Sequence, residues 1–177
     1  ARPPMVAAPT RARRQYAPME LLQPLSPLWA TRLHIALELA ATLAFALSGV
    51  IEAARKRLDV VGVAVVAFAA AFGGGTLRDL LLDYRPFFWV QQIECLWIVL
   101  ALCAGAMMFM RQRHLRPTER AILWPDAIGL GLFTAIGVDR ALALGQPALV
   151  AVMMGVVTGV FGGVLRDVLV NEVPRAL

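Results

Sequence analysis

Residues 73–79 read Gly-Gly-Gly-Thr-Leu-Arg-Asp, and residues 161–167 read Phe-Gly-Gly-Val-Leu-Arg-Asp. The two stretches lie 88 positions apart, and the same offset, without a gap, superimposes much of the flanking sequence. Arg32 falls on Arg120, Glu38 on Asp126, Phe45 on Phe133 and Gly49-Val50 on Gly137-Val138. Further on, Leu81 falls on Leu169, Asp83 on Asn171 and Pro86 on Pro174. The chain is a tandem duplication, and a repeat of this period is the first constraint on any fold.

The material between the repeated landmarks is apolar. Of 177 residues, 59% are hydrophobic and 16% charged, against about 45–50% and about 25% in an ordinary soluble domain. The excess falls into five blocks of roughly the length that crosses a hydrocarbon core as a helix. They are 33–54, 60–82, 87–110, 121–138 and one opening at Pro147. The expected fold is all-α and polytopic, with an arm over 1–32, a first three-span repeat over 33–120 and the first two spans of a second over 121–177. Three spans per unit put the two copies in opposite orientation. Inverted repeats of this kind are typical of transport proteins, with the substrate path at the repeat interface.

Charge fixes an expected topology and excludes several functions. The net charge of +5 is scattered between apolar blocks rather than gathered in the accessible stripe of a nucleic-acid binder, so no nucleic-acid partner is expected. Arg55, Lys56 and Arg57 follow the first block, and Arg111, Arg113, Arg116 and Arg120 follow the third. Short basic loops stay cytoplasmic, which puts loops 55–59 and 111–120 inside and the N-terminus outside. The arm over 1–32 is rich in Pro and Arg and is set aside from the fold. Neither glycine stretch has P-loop or dinucleotide spacing, and no catalytic constellation is present, so an enzyme is not expected. Cys95 and Cys103 have no metal-ligand spacing, and His34 and His114 are isolated. No cofactor and no tightly bound metal are expected.

Three consecutive glycines within an apolar span cost about 0.8–1 kcal/mol each relative to Ala, so they need a reason. One is a kink or unwound turn at Gly73, Gly74, Gly75, Gly162 and Gly163, whose freed carbonyls would line a cavity. The other is close packing, because Ala67, Ala71 and Gly75 recur every fourth residue, as do Gly155, Gly159 and Gly163. Ionisable groups at membrane depth usually face a watery cavity or pair with one another. For Arg78, Asp79, Arg166 and Asp167, inversion suggests cross-pairs of Arg78 with Asp167 and of Arg166 with Asp79. Glu38 and Asp126 occupy equivalent places near the starts of their spans, where either the helix dipole or cation attraction accounts for an acid.

The doubled glycine–Arg-Asp motif in three-span units resembles the bacterial relatives of the trimeric intracellular cation (TRIC) channels, a family also described through a tandem glycine transporter domain. The resemblance covers about Leu33 to the end. It implies a homotrimer in a bacterial inner membrane, with one pore per protomer lined by the second and fifth spans, which are kinked at the glycines. It also implies passive conduction of monovalent cations, with K⁺ preferred and bound only transiently. Such a family has seven spans, so two full units would run roughly 30 residues past Leu177. The alternative is a secondary transporter for glycine or another small zwitterion, with the helix ends at the glycines binding its carboxylate and ammonium groups.

Overall fold

The computed structural model describes residues 28–113 and 120–174. The expected arm lies outside these up to residue 27, and its remainder already belongs to a helix. Loop residues 114–119, with His114 and Arg116, also lie outside. Two compact units are distinguished, 1–33 and 34–177; only residues 28–33 of the first are described, and every contact discussed below lies within the second.

Among the described residues six helices are formed: α1 Leu28–Arg55, α2 Val60–Leu81, α3 Phe88–Gln91, α4 Ile93–Arg113, α5 Arg120–Ala143 and α6 Ala148–Leu169. No strand occurs among the described residues. The duplication is visible in the helix bounds themselves. α1 and α5 end, and α2 and α6 both begin and end, 88 residues apart.

The helix terminators repeat as well. Arg57 (φ 55°) and Gly145 (φ 72°) turn left-handed after α1 and α5, and Asp83 (φ 50°) and Asn171 (φ 57°) do so after α2 and α6. At each end the next amide reaches back five residues: Leu58 to Ala53, Gln146 to Ala141, Tyr84 to Asp79 and Glu172 to Asp167, at 2.8–3.1 Å. These Schellman closures satisfy carbonyls that a helix end leaves without partners. At the start of α2 the Asp59 carboxylate accepts the Gly62 N–H at 2.8 Å. Pro147 holds the equivalent position before α6, where a missing N–H costs nothing.

Among the described residues four helices are long and apolar enough to cross a membrane: Thr31–Arg55, Val60–Leu81, Arg120–Ala143 and Ala148–Leu169. The third apolar block departs from the expected single span over 87–110. It leaves helical geometry at Gln92 (φ −117°, ψ 71°), which splits off α3 and leaves α4 with a shorter apolar stretch, Ile93–Met108. The polar pair Gln91-Gln92 marks the break. Cys95 and Cys103 are buried and free.

α6 packs against both α5 and α2, and α2 against α4. Small residues face inward, with Ala41, Ala46, Ala53, Ala67, Ala70 and Ala71 fully buried. Large apolar residues such as Val61, Val65, Leu149, Val152 and Val156 are exposed, as suits helices whose outer solvent is lipid. In the centre Phe45 and Phe133, which occupy equivalent positions of the two halves, stack on each other at 5.6 Å between ring centroids.

Candidate functional site

The glycines build a crossing. A Cβ on Gly74 would overlap the carbonyl oxygen of Thr158, and one on Gly162 would overlap that of Ala70. Thr158 and Ala70 are themselves 88 residues apart, so the contact is reciprocal and lies on the pseudo-twofold axis relating the halves. As residue numbers rise on α2 they fall on α6, so the helices run antiparallel. Both are α-helical without a break through their glycines, and the unwound turn with free carbonyls that the sequence allowed is not formed. The two backbones touch at the crossing, so no path runs between the helices at that point.

The four-residue stripes serve contacts within each half. Gly49 of α1 sits on Ala67, where an added Cβ would lie 2.8 Å from the Ala67 Cα, and the equivalent Gly137 sits on Gly155 at 2.9 Å. Gly159 faces Thr134 and Leu130 of α5, while Gly75 faces the Phe88 ring. Ala71 is fully buried. Ala67, Gly155 and Gly159 therefore close each half on itself, and the adjacent positions Ala70, Gly74, Thr158 and Gly162 join the halves. The two C-terminal glycines of the stripes also differ. Among the described residues a Cβ at Gly163 would meet nothing nearer than 3.9 Å.

Four residues beyond each crossing glycine stands a buried arginine. Arg78 donates from Nε to Asp79 Oδ1 at 2.8 Å, and its Nη2 lies 2.7 Å from the same oxygen. That Nη2 also donates to Glu38 Oε1 at 3.2 Å. The second Asp79 oxygen accepts the Phe88 N–H at 2.9 Å, and the Phe88 ring lies 5.5 Å from the guanidinium carbon. Arg78, Asp79 and Glu38 are at most 1% exposed. The second cluster repeats the plan with a different third member. Arg166 donates from Nε to Asp167 Oδ1 at 2.8 Å, while its Nη1 contacts both Asp126 Oδ1 and Ser48 Oγ. Ser48 donates to Asp126 Oδ1 at 3.0 Å.

These contacts correct two expectations. The cross-pairs of Arg78 with Asp167 and of Arg166 with Asp79 are absent; each arginine pairs with the aspartate beside it and with an acid from the first helix of its own half. The geometry explains why. Four residues of antiparallel helix carry each arginine about 6 Å from the crossing in opposite directions, roughly 12 Å apart along the axis. Glu38 and Asp126 are not dipole acids either, because neither lies in the first turn of its helix.

Each arginine serves two carboxylates, so each cluster carries a formal charge of −1. A buried ion pair is held only where hydrogen bonds compensate for lost hydration, and both clusters are dense in them. The exception is Arg78 Nη1, buried with no partner among the described residues. At the second cluster Ser48, reaching across from α1 of the first half, supplies that bond, but the residue equivalent to Ser48 is Ile136. Sequence reasoning missed Ser48 and Phe88. Nothing marks Phe88 in the sequence, whereas a serine aligned with an isoleucine at an apolar position was a signal.

Among the described residues no group of three or more His, Cys, Asp or Glu side chains could hold a metal ion. His34 lies 3.6 Å from Asp139. The loops after α2 and α6 are tied to opposite halves, with Arg140 over the Tyr84 ring at 4.7 Å and Lys56 paired with Glu172.

A family described as glycine transporter matches residues 35–113 and 123–177. A UPF0126 membrane protein of Vibrio cholerae is 42% identical over 151 residues, 83% of this chain and 61% of the relative. The UPF0126 inner membrane protein YadS of Escherichia coli K12 is 42% identical over 142 residues, 80% of this chain and 68% of YadS. The chain thus spans about three fifths to two thirds of these relatives. Among solved structures, a TRIC trimeric intracellular cation channel orthologue from Rhodobacter sphaeroides has a TM-score of 0.75 at 37% identity, covering 82% of this chain and 74% of that one. A prokaryotic TRIC channel crystallised in 0.5 M KCl has a TM-score of 0.77 at 28% identity, covering 83% and 75%.

Proposed function

The chain belongs to the glycine transporter family of membrane proteins, and from that premise we propose that it is a passive channel for monovalent cations, with K⁺ preferred and one pore in each protomer. The observation that carries the reading is the pair of buried Arg–carboxylate clusters, Arg78 with Asp79 and Glu38, and Arg166 with Asp167 and Asp126. Each has one formal negative charge in excess, and they lie on opposite sides of the α2–α6 crossing. A solute passing beside that crossing meets two cation-attracting points in series. Neither is a deep trap, because an arginine offsets half of the acid charge. Conduction needs this balance, since an ion must bind well enough to enter and weakly enough to leave. The likeness to TRIC channel structures supports the same reading.

The pore is lined by α2 and α6 on one side of the crossing, where Gly73, Gly74, Gly75, Gly162 and Gly163 keep the helices thin. Residues 33–120 and 121–177 are the two repeat units, with 1–32 an arm outside them. The protein works as a homotrimer in the bacterial inner membrane, with the N-terminus outside and loops 55–59 and 111–120 cytoplasmic. The basic residues Arg55, Lys56, Arg57 and Arg120 favour that orientation.

Purified protein in K⁺-loaded liposomes tests the reading. A channel releases K⁺ down its gradient at a rate that rises without saturation and is indifferent to glycine. Saturable uptake of labelled glycine with no K⁺ leak would replace this account with a transporter.

A further inference from the structure

The Arg166–Asp126 pair is joined by a residue that belongs to the other half of the molecule. Ser48 stands on α1, is fully buried, and uses its hydroxyl twice: it donates to Asp126 Oδ1 at 3.0 Å and accepts from Arg166 Nη1. Its neighbours hold it there. Phe45, one turn earlier, stacks on Phe133, and Gly49, the next residue, is seated on Ala67. The pair that Ser48 reaches is not a closed fork. Nη1 contacts Asp126 Oδ1, but Nη2 stands 3.5 Å from Oδ2, whereas the two parallel bonds of a bidentate pair run at about 2.7–2.9 Å. The guanidinium is thus shared between the carboxylate and the serine. Among the described residues no hydroxyl or carboxylate of the second half reaches Arg78: Glu38 and Asp79 both come from the first half, and the position equivalent to Ser48 is the buried Ile136.

We propose that Ser48 is a positioning residue for cation attraction at Asp126: by holding part of the Arg166 guanidinium it keeps the fork open and leaves Asp126 less neutralised. This inference rests on the channel reading above and adds the residue that sets the strength of one of its two attracting points. Without the hydroxyl an Nη1 proton loses its acceptor, and a buried donor is expensive to leave unpaired. The carboxylate that Nη1 already contacts is Asp126, so the fork closes on it, and Nη2 moves in by about 0.7 Å to the spacing of a bidentate pair. At an effective dielectric of about 20, a guanidinium drawn that far towards a cation about 6 Å away lowers the local occupancy of the cation about twofold. The charge presented by Asp126 is therefore set from α1, the helix that also carries Glu38 of the first cluster, ten residues earlier and about 15 Å away along the axis.

Ser48→Thr and Ser48→Val test it, because the two replacements have the same shape and only the first keeps the hydroxyl. In bilayer recording at 10 mM KCl, single-channel conductance should be about twofold lower in Ser48→Val than in Ser48→Thr. The two should converge at 1 M KCl, where the Debye length is about 3 Å. With Asp126→Asn added to both, the difference should vanish, because the charge that the hydroxyl modulates is gone. If Ser48→Val does not insert, Ser48→Ala against wild type makes the same comparison. Equal conductances at low salt overturn the positioning role and leave the channel reading standing. A difference that persists at 1 M, or in the Asp126→Asn background, does the same, since a hydroxyl acting only on packing would behave in that way. Silence of wild type and of every variant overturns the channel reading and the role of Ser48 together.

Discussion

Asp126→Asn isolates charge from packing at the more accessible cluster. The amide keeps an oxygen that can accept from Ser48 and Arg166, and Arg166 stays paired with Asp167 at 2.8 Å, so the fold should survive. What changes is the formal charge of the cluster, from −1 to 0. A cation about 5 Å away interacts with a unit charge by about 3 kcal/mol at an effective dielectric of 20, and by about 1 kcal/mol in water-like surroundings. Because about 1.4 kcal/mol is a factor of ten, local cation occupancy should fall between about fivefold and about a hundredfold. The effect must also be screened: the Debye length is about 30 Å at 0.01 M salt and about 3 Å at 1 M. Single-channel conductance of Asp126→Asn should therefore fall well below wild type at 10 mM KCl and approach it at 1 M. Equal conductances at low salt, in protein that inserts and assembles normally, would refute the charge argument.

The crossing predicts opposite tolerances at neighbouring glycines. Gly162→Ala overlaps the Ala70 carbonyl and should destabilise by about 1–3 kcal/mol, lowering the midpoint of thermal unfolding in detergent, whereas Gly163→Ala, with nothing among the described residues nearer than 3.9 Å, should be close to neutral. Ile136→Ser places a hydroxyl where Ser48 stands in the other half. By satisfying Arg78 Nη1 it should recover part of the roughly 1–3 kcal/mol that a buried unpaired donor costs. Because the lost isoleucine packing itself costs about 2–5 kcal/mol, the reference is Ile136→Ala: a higher midpoint for Ile136→Ser than for Ile136→Ala in the same assay checks it, and an equal or lower one would show that the serine does not reach the guanidinium.

Much of the architecture was legible because duplication writes the same instructions twice. The offset of 88 assigned α2 and α6 to equivalent places before any geometry was known, and the closures at Arg57, Gly145, Asp83 and Asn171 obey it. The arginine partners were misread. Inversion suggests pairing across the halves, but only the antiparallel crossing at Gly74 and Gly162 reveals that the two arginines lie on opposite sides of it along the axis. The stripe Ala67-Ala71-Gly75 was visible as a small-residue face, yet a helix carries several such faces and spacing alone does not say which neighbour each meets. The contacts of Phe88 with Arg78 and Asp79 were illegible because they depend on the short helix α3 that ends at Gln92, and a glutamine pair within an apolar block gives only a weak indication that a helix stops.

The most direct test of the account is recording from the purified wild-type protein in planar bilayers under a KCl gradient with no other solute. The account predicts discrete unitary currents whose reversal potential lies close to the K⁺ equilibrium potential. Reversal near zero or at the Cl⁻ potential, or the absence of unitary currents alongside saturable solute flux, would contradict it.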